Sequence, residues 1–271
     1  MQLSRGTRIL LRTATALGFA VIYAPLLLVL VNSFNASRSF AWPPSGFSTR
    51  WWTAAWQETG LREALATSLK AGLGATGVAL VLGTMAAFAA TRYRFFGRQS
   101  VSFLLILPIA LPGIVTGIAL NAAFRTVLTP LGVGFGLFTV VVGHATFCIV
   151  VVFNNVSARL RRIAPSAEEA SADLGADTFQ TFWHVTLPAV RGALLAGALL
   201  AFALSFDEIV VTTFTAGPGT RTLPLWIFEN LARPNQGPVV DVVASVLIVL
   251  AVLPVYLAQR LSGEPLEGHG P

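Results

Sequence analysis

Ser166-Ala-Glu-Glu-Ala-Ser-Ala-Asp-Leu-Gly175, followed by Val185-Thr-Leu-Pro188, is a polar stretch enclosed by apolar ones. Pro165 ends what precedes it, and Ser166 stands where a helix N-cap is expected. Its hydroxyl accepts from the N–H of Glu169, while the Glu169 carboxylate reaches back to the N–H of Ser166. Glu168 and Glu169 set negative charge against the positive end of the helix dipole, and Gly175 suits the left-handed residue that closes a helix. The spacing predicts a rod over 167–174, about 12 Å long at 1.5 Å per residue, too short and too polar to enter a bilayer. A second cap follows at Asp177, with Gln180 three residues on. The helix beyond it carries Phe179, Phe182 and Trp183 and is expected to end near Leu187-Pro188, with Pro188 marking a turn into the next apolar run. An ordinary capped loop helix has the same pattern, so local physics alone leaves its purpose open.

The surroundings say why such a segment is out of place. Of 271 residues, 55% are hydrophobic and 11% charged, with a mean hydropathy of +0.73. Soluble domains carry roughly 25% charged residues, so the chain is an integral membrane protein. Its net charge of +6 does not mark a nucleic-acid binder, because the basic residues are scattered between apolar runs and form no patch. The one cysteine, Cys148, excludes an internal disulfide and a cysteine-based metal site; in its apolar run it reads as a small buried hydrophobe.

A spanning helix needs about 20 mostly apolar residues. Six runs qualify: about 11–33, 66–91, 101–124, 137–157, 189–215 and 239–260. The first follows Arg5, Arg8 and Arg12 in the manner of a signal peptide, but it is too long for a typical one and no clean small-x-small cleavage site follows; it is read as a retained span. With the N-terminus inside, eleven of the 18 Lys and Arg residues fall on the inner side and seven on the outer, which sets the orientation. The expected fold is an all-α integral membrane domain over 1–271. It has six transmembrane helices, cytoplasmic N- and C-termini, and a coupling loop 158–188 on the cytoplasmic side between helices four and five. The first outer loop, about 34–62, carries Phe40, Trp42, Phe47, Trp51, Trp52 and Trp56, which suit either the membrane–water interface or a partner on the outer face. The tail from Ser262 to Pro271 is short and polar. Gly72-Leu-Gly-Ala-Thr-Gly77 fits G-x-G-x-x-G, but no strand precedes it. Like Gly113-Ile-Val-Thr-Gly117, it reads as small residues that let helices approach. The chain carries no G-x-x-x-x-G-K-[ST] loop.

The spacing E-A-[A/S]-x3-G-x9-[I/V]-x-L-P at Glu169, Ala170, Ser171, Gly175, Val185, Leu187 and Pro188 resembles the EAA signature of ABC importer permeases, with Ser171 and Val185 as mild departures. The resemblance extends to Trp51-Trp52 with Ala66-Thr-Ser-Leu69 and to Leu107-Pro-Ile-Ala-Leu-Pro-Gly-Ile-Val-Thr-Gly117. Ser205-Phe-Asp-Glu-Ile-Val-Val211, continuing to Ala216-Gly-Pro-Gly-Thr-Arg-Thr-Leu-Pro224, is similar to the polyamine (spermidine/putrescine) branch, second-permease type. Gly113 departs from it, standing where polyamine-type members often carry an acid. The resemblance implies that the short helix is the coupling helix docking into a separate ATPase. Glu168, Glu169, Ala170, Ser171, Asp173, Leu174 and Gly175 would then lie at or near that joint, with Leu187 and Pro188 linking it to a span. It also implies a second permease subunit in a heterodimer, an ATPase dimer, a periplasmic or extracytoplasmic solute-binding protein, and a place in the bacterial inner membrane.

Asp207 and Glu208 are read as the only acids deep inside a span. A charge at the bilayer centre costs about 2.5–3.5 kcal/mol on insertion scales, so a pair there is expected to face protein or a wet cavity. Facing a pore, it would attract a di- or polycation; otherwise it pairs with an arginine such as Arg125 or one of the partner permease. Asn121 either lines the same path or makes a helix–helix hydrogen bond. His144 is expected to make an interhelical polar contact, and His184 to lie at the surface. The sequence predicts a polyamine importer permease with no catalytic residue, metal or cofactor of its own. Other cargoes within the class are ferric iron, another amine or an opine-like compound. An ion-coupled secondary transporter would need inverted repeats and discontinuous spans, which the sequence does not display. A membrane enzyme would need a clustered His/Asp/Glu constellation.

Overall fold

The structure, a computed structural model, describes residues 4–38, 43–164, 166–233 and 235–261, with backbone alone from 252 onward. Phe40, Trp42, Pro165, the Arg260 side chain and the tail from Ser262 lie outside the described residues. Every regular element among the described residues is helical. Among the described residues, five helical stretches are long and apolar enough to cross a membrane: Arg5–Asn32, Thr59–Arg92, Gly113–Leu131, Leu137–Leu160 and Thr178–Phe206. The last expected span, 239–260, falls within Gly237–Leu261.

The chain forms two compact units. The first comprises Met1–Leu61 and Ile227–Pro271. In it, α1 (Arg5–Asn32) packs on α12 (Gly237–Leu261), and α2 (Arg50–Gln57) packs on α12 as well. A polar cluster fastens the end of α1. Asn32 donates to the Asp241 carboxylate at 2.5 Å, Asn35 donates to the Asn32 side-chain oxygen at 3.1 Å, and Ser245 donates to the Val29 carbonyl. Asp241 is buried, so the expectation that Asp207 and Glu208 are the only acids inside a span is corrected: Asp241 sits in α12 and is satisfied by Asn32. In the aromatic loop, Phe34 stacks on Trp52 and Trp51 donates to the Asn35 carbonyl, with the Arg50 guanidinium over the Trp51 ring. Phe47 and Trp56 are exposed.

The second unit is Arg62–Trp226. Its helices are α3 (Thr59–Arg92), α4 (Arg98–Ala110), α5 (Gly113–Val127), α6 (Leu137–Leu160), α7 (Ser166–Asp173), α8 (Thr178–Thr181), α9 (Leu187–Phe206), α10 (Val210–Thr215) and the start of α11 (Leu223–Leu231). The core lies where α6 meets α3 and α9, around Phe147, Val152, Val156, Leu160 and Val190. Lipid tails offer helices no hydrophobic drive to associate, so close van der Waals approach must hold them. The buried face of α3 is accordingly Ala64, Ser68, Ala71, Gly72, Ala75, Thr76, Ala79, Gly83, Ala87 and Ala90. A Cβ on Gly83 would come within 2.9 Å of the Ile149 carbonyl oxygen, and one on Gly117 within 2.5 Å of the Phe214 ring. Gly72 and Gly74 likewise abut Phe202 and Val141, whereas Gly77 faces open space; the G-x-G-x-x-G match is helix packing.

Two expected spans are not continuous. The run 101–124 divides at Leu111-Pro112 into α4 and α5. Pro112 has no N–H to donate, and Leu111, the residue before it, is pushed to an extended backbone (φ −81°, ψ 143°). The run 189–215 divides after Phe206: α9 ends there and α10 starts at Val210. The expectation that broken spans are absent is thereby overturned, and the two late segments α5 and α10 pack against each other. At Pro188 the opposite happens. The expected turn is not there, and helix runs from Thr178 to Phe206 through a π-helical segment, Phe182–Thr186. Leu187 donates to the Phe182 carbonyl, five residues back. Widening the ladder just before Pro188 lets the helix pass a residue that has no N–H.

Candidate functional site

The polar stretch folds as an eight-residue helix, α7. Ser166 is its first residue instead of its cap, so the helix is displaced by one position from the expected rod. Its C-terminus closes as anticipated. Gly175 is left-handed at φ +87°, its N–H reaches the Ala172 carbonyl at 2.9 Å, and the Ala176 N–H reaches the Ser171 carbonyl at 3.1 Å. That double bond pattern satisfies the last carbonyls and stops the helix sharply. The second cap forms in full: Gln180 N–H donates to Asp177 Oδ1 at 2.7 Å, and Asp177 N–H donates to Gln180 Oε1 at 3.0 Å.

The acids of α7 divide between two faces. Glu169 and Asp173, four apart and so on one side of a helix, are exposed together with Ala170, and Leu174 beyond them is 90% exposed. Glu168 turns the other way. Its Oε1 accepts from Arg92 Nη2 at 3.0 Å and Nε at 3.2 Å, and from the Thr186 hydroxyl at 3.2 Å. Ser171, on the same inward side, shares a hydrogen bond of 3.1 Å with Thr181. Leu187 and Thr186 help line a cavity of about 950 Å³ between α3 and the α8–α9 stretch, with Phe88, Phe182 and Leu194 on its walls and Arg92 and Glu168 at one end. Pro188 is exposed, as is His184.

The second site is the break after α9. Asp207 is the C-cap of α9 and is exposed; Glu208 is half buried, and its carboxylate accepts from the Val211 N–H at 2.8 Å, capping α10. The acids thus lie in a gap between helices and not inside one. Fully buried His144 of α6 spans the gap, with Nδ1 at 2.7 Å from the Ser205 hydroxyl and Nε2 at 2.8 Å from the Thr212 hydroxyl. Thr139 donates to the Thr215 carbonyl. Asn121 of α5 donates to the Phe214 carbonyl at 2.5 Å and accepts from Arg125 Nε at 2.9 Å. The amide therefore serves α10 at the end remote from Glu208. Cys148 is buried, with its Sγ on the Ala201 carbonyl at 3.3 Å. The bracketing role of His144 and the inward turn of Glu168 carry no signal in the sequence beyond residue type. The break at Leu111-Pro112 had one in its proline.

Comparison with known proteins gives this polar rod and its bundle of interrupted apolar helices a family. The model of the binding-protein-dependent transport system inner membrane component matches residues 79–264, from mid-α3 through the second site and beyond. The chain belongs to this family. Among curated members it is 35% identical over 236 residues to the putrescine transport system permease protein PotI of Escherichia coli, covering 86% of this chain and 83% of that one. It is 33% identical over 252 residues to the spermidine/putrescine transport system permease protein PotC of Shigella flexneri, covering 93% of each. A chain of a bacterial ABC transporter involved in the import of the acidic polysaccharide alginate shares its fold, with a TM-score of 0.69 at 18% identity over 98% of this chain and 99% of that one. As an inner-membrane component of this family, the protein is a multi-pass permease of the bacterial cytoplasmic membrane and the transport part of a binding-protein-dependent importer. Broken spans in this chain are therefore a property of a binding-protein-dependent permease and do not indicate an ion-coupled carrier.

Proposed function

We propose that the protein is one of two permease subunits of an ABC importer for polyamines, with six spans, both termini and α7 on the cytoplasmic side, and a separate ATPase docked on α7. The observation that carries this is the two-faced rod: Glu169, Asp173 and Leu174 are offered to solvent while Glu168 and Ser171 fasten the helix to the membrane bundle. A rigid element fastened on one face to the bundle and gripped on the other by the ATPase transmits a rigid-body push; a loop without that fastening does not. The partner set follows from the same reading: a sister permease, a pair of ATPases whose closure moves α7, and a solute-binding protein outside. The cargo assignment is supported by the relatives, which are putrescine and spermidine/putrescine permeases, and by the exposed carboxylate of Asp207, beside half-buried Glu208, in the gap between α9 and α10.

The test is uptake into sealed vesicles holding the assembled complex. Labelled putrescine or spermidine should accumulate only with ATP and the binding protein present. Glu169→Lys should insert normally, lose the ATPase on purification and lose uptake; full ATPase assembly in that variant would sink the docking assignment. Accumulation of iron or another amine, with no polyamine uptake, would overturn the cargo.

A further inference from the structure

We infer that Glu168 and Arg92 form an internal strut that makes α3, as well as α9, follow the movement of α7; both are positioning residues and not part of the ATPase contact. The inference rests on the proposed docking of the ATPase at α7 and deepens it. Three facts carry it. Arg92 is the last residue of α3, so a load placed on it acts on the end of that whole helix. Both guanidinium donors and the Thr186 hydroxyl converge on one oxygen of Glu168, so a single carboxylate ties the ends of α3 and of the π segment ahead of α9 to the rod. The pair is also partly withdrawn from water, with 17% of the Arg92 and 24% of the Glu168 side chain accessible.

The pair stands at one end of a largely apolar cavity of about 950 Å³ between α3 and the α8–α9 stretch. Beside it the direct packing of α3 on this stretch includes the edge contact of Phe88 with Phe182, ring centroids 5.6 Å apart. Apolar packing of this kind is non-directional, and the ion pair adds a directional, hydrogen-bonded tie at the helix end. The chain path from α7 leads through α8 and the π segment into α9, so α9 receives a push from α7 covalently. Helix α3 has no covalent connection to α7 at this end and takes the push through Arg92, with the Phe88–Phe182 contact beside it. An exposed ion pair contributes little, whereas a partly desolvated, multiply hydrogen-bonded charge is costly to orphan; the contact is therefore suited to holding through a movement.

The experiment uses the complete transporter in vesicles, with its binding protein, and reads polyamine taken up per ATP hydrolysed. Arg92→Ala should keep the ATPase bound and hydrolysing while uptake per ATP falls roughly 5-fold or more, the lower range of an energetic coupling between sites. Glu168→Gln, nearly identical in shape and able to fold where larger changes are not, should give the same signature. The exchanged pair, Arg92→Glu with Glu168→Arg, should recover most of the loss, which a merely local structural role would not predict. Unchanged uptake per ATP in Arg92→Ala and Glu168→Gln overturns the strut, as does loss of the ATPase from either variant, because that outcome assigns the pair to the docking surface. Failure of the underlying docking assignment shows separately, as a Glu169→Lys complex that assembles in full.

Discussion

At the scale of single residues, His144 is fully buried with both ring nitrogens engaged. The Thr212 hydroxyl donates its one hydrogen to the Glu208 carbonyl at 2.8 Å, so it accepts from His144 Nε2, which must carry the proton. Nδ1 is then an acceptor and takes the Ser205 hydroxyl. A neutral imidazole with both nitrogens committed is a bracket, joining the last turn of α9 to the first of α10 across the acids. His144→Phe should strand the buried Ser205 hydroxyl, leave Thr212 only its bond to the Glu208 carbonyl, and lower the Tm of the purified protein by an amount equivalent to about 1–3 kcal/mol. Adding Ser205→Ala should return part of that loss, since a hydroxyl removed with its partner no longer needs one. A double variant no more stable than His144→Phe would refute the bracket. Glu208 works alongside it as a cap for α10, which separates its task from that of Asp207, whose exposed carboxylate has no such duty in view.

Among the elements, α3 shows how far helix contacts can be read from residue type. Its glycines look alike in the sequence, and period and composition mark α3 as a span rich in small residues without saying which of them touches a neighbour. The distinction depends on the rotation of α3 against α6, which only the packed structure supplies. Gly83 faces the Ile149 carbonyl, a backbone atom that cannot rotate away, while Gly77 faces nothing within 4 Å. Gly83→Ala should therefore separate α3 from α6 and lower the Tm. Gly77→Ala should leave it unchanged or raise it, because alanine is favoured over glycine in a helix interior by about 1 kcal/mol. Equal effects from the two substitutions, measured side by side, would contradict the packing. The same limit explains the elements that differed from expectation. Pro112 and Pro188 are both prolines in apolar runs, yet one breaks a helix and the other is passed by a π segment. A proline removes the same donor in each place; whether the chain breaks or widens is decided by what packs around it.

Over the whole molecule, the spacing of short polar and glycine positions made the coupling rod legible, because caps and a left-handed glycine are local and need no partner. The acids were legible as residues out of place in an apolar run, but not as occupants of a helix break, since Phe206 and Val210 look equally fit to continue a helix. Asp241 went unread because its satisfaction by Asn32 joins residues 209 apart in the chain. That contrast bears on which carboxylate meets the cargo. A buried acid bonded to an amide, such as Asp241, stabilises its own unit. An acid exposed at a gap between helices, such as Asp207, holds a negative charge where an organic cation can reach it without first breaking a protein contact. Asp207→Asn should accordingly reduce polyamine uptake while leaving Tm and ATPase assembly as they were, and the reduction should be deeper for spermidine than for the less highly charged putrescine. Glu208→Ala should instead lower the Tm by about 1 kcal/mol equivalent through loss of its cap, with Glu208→Gln, which keeps an acceptor, in between. Both sets of variants are compared in one vesicle preparation. Equal losses for the two polyamines in Asp207→Asn would remove cargo charge as the reason for an acid at this gap, and would leave the α9–α10 break as a hinge alone.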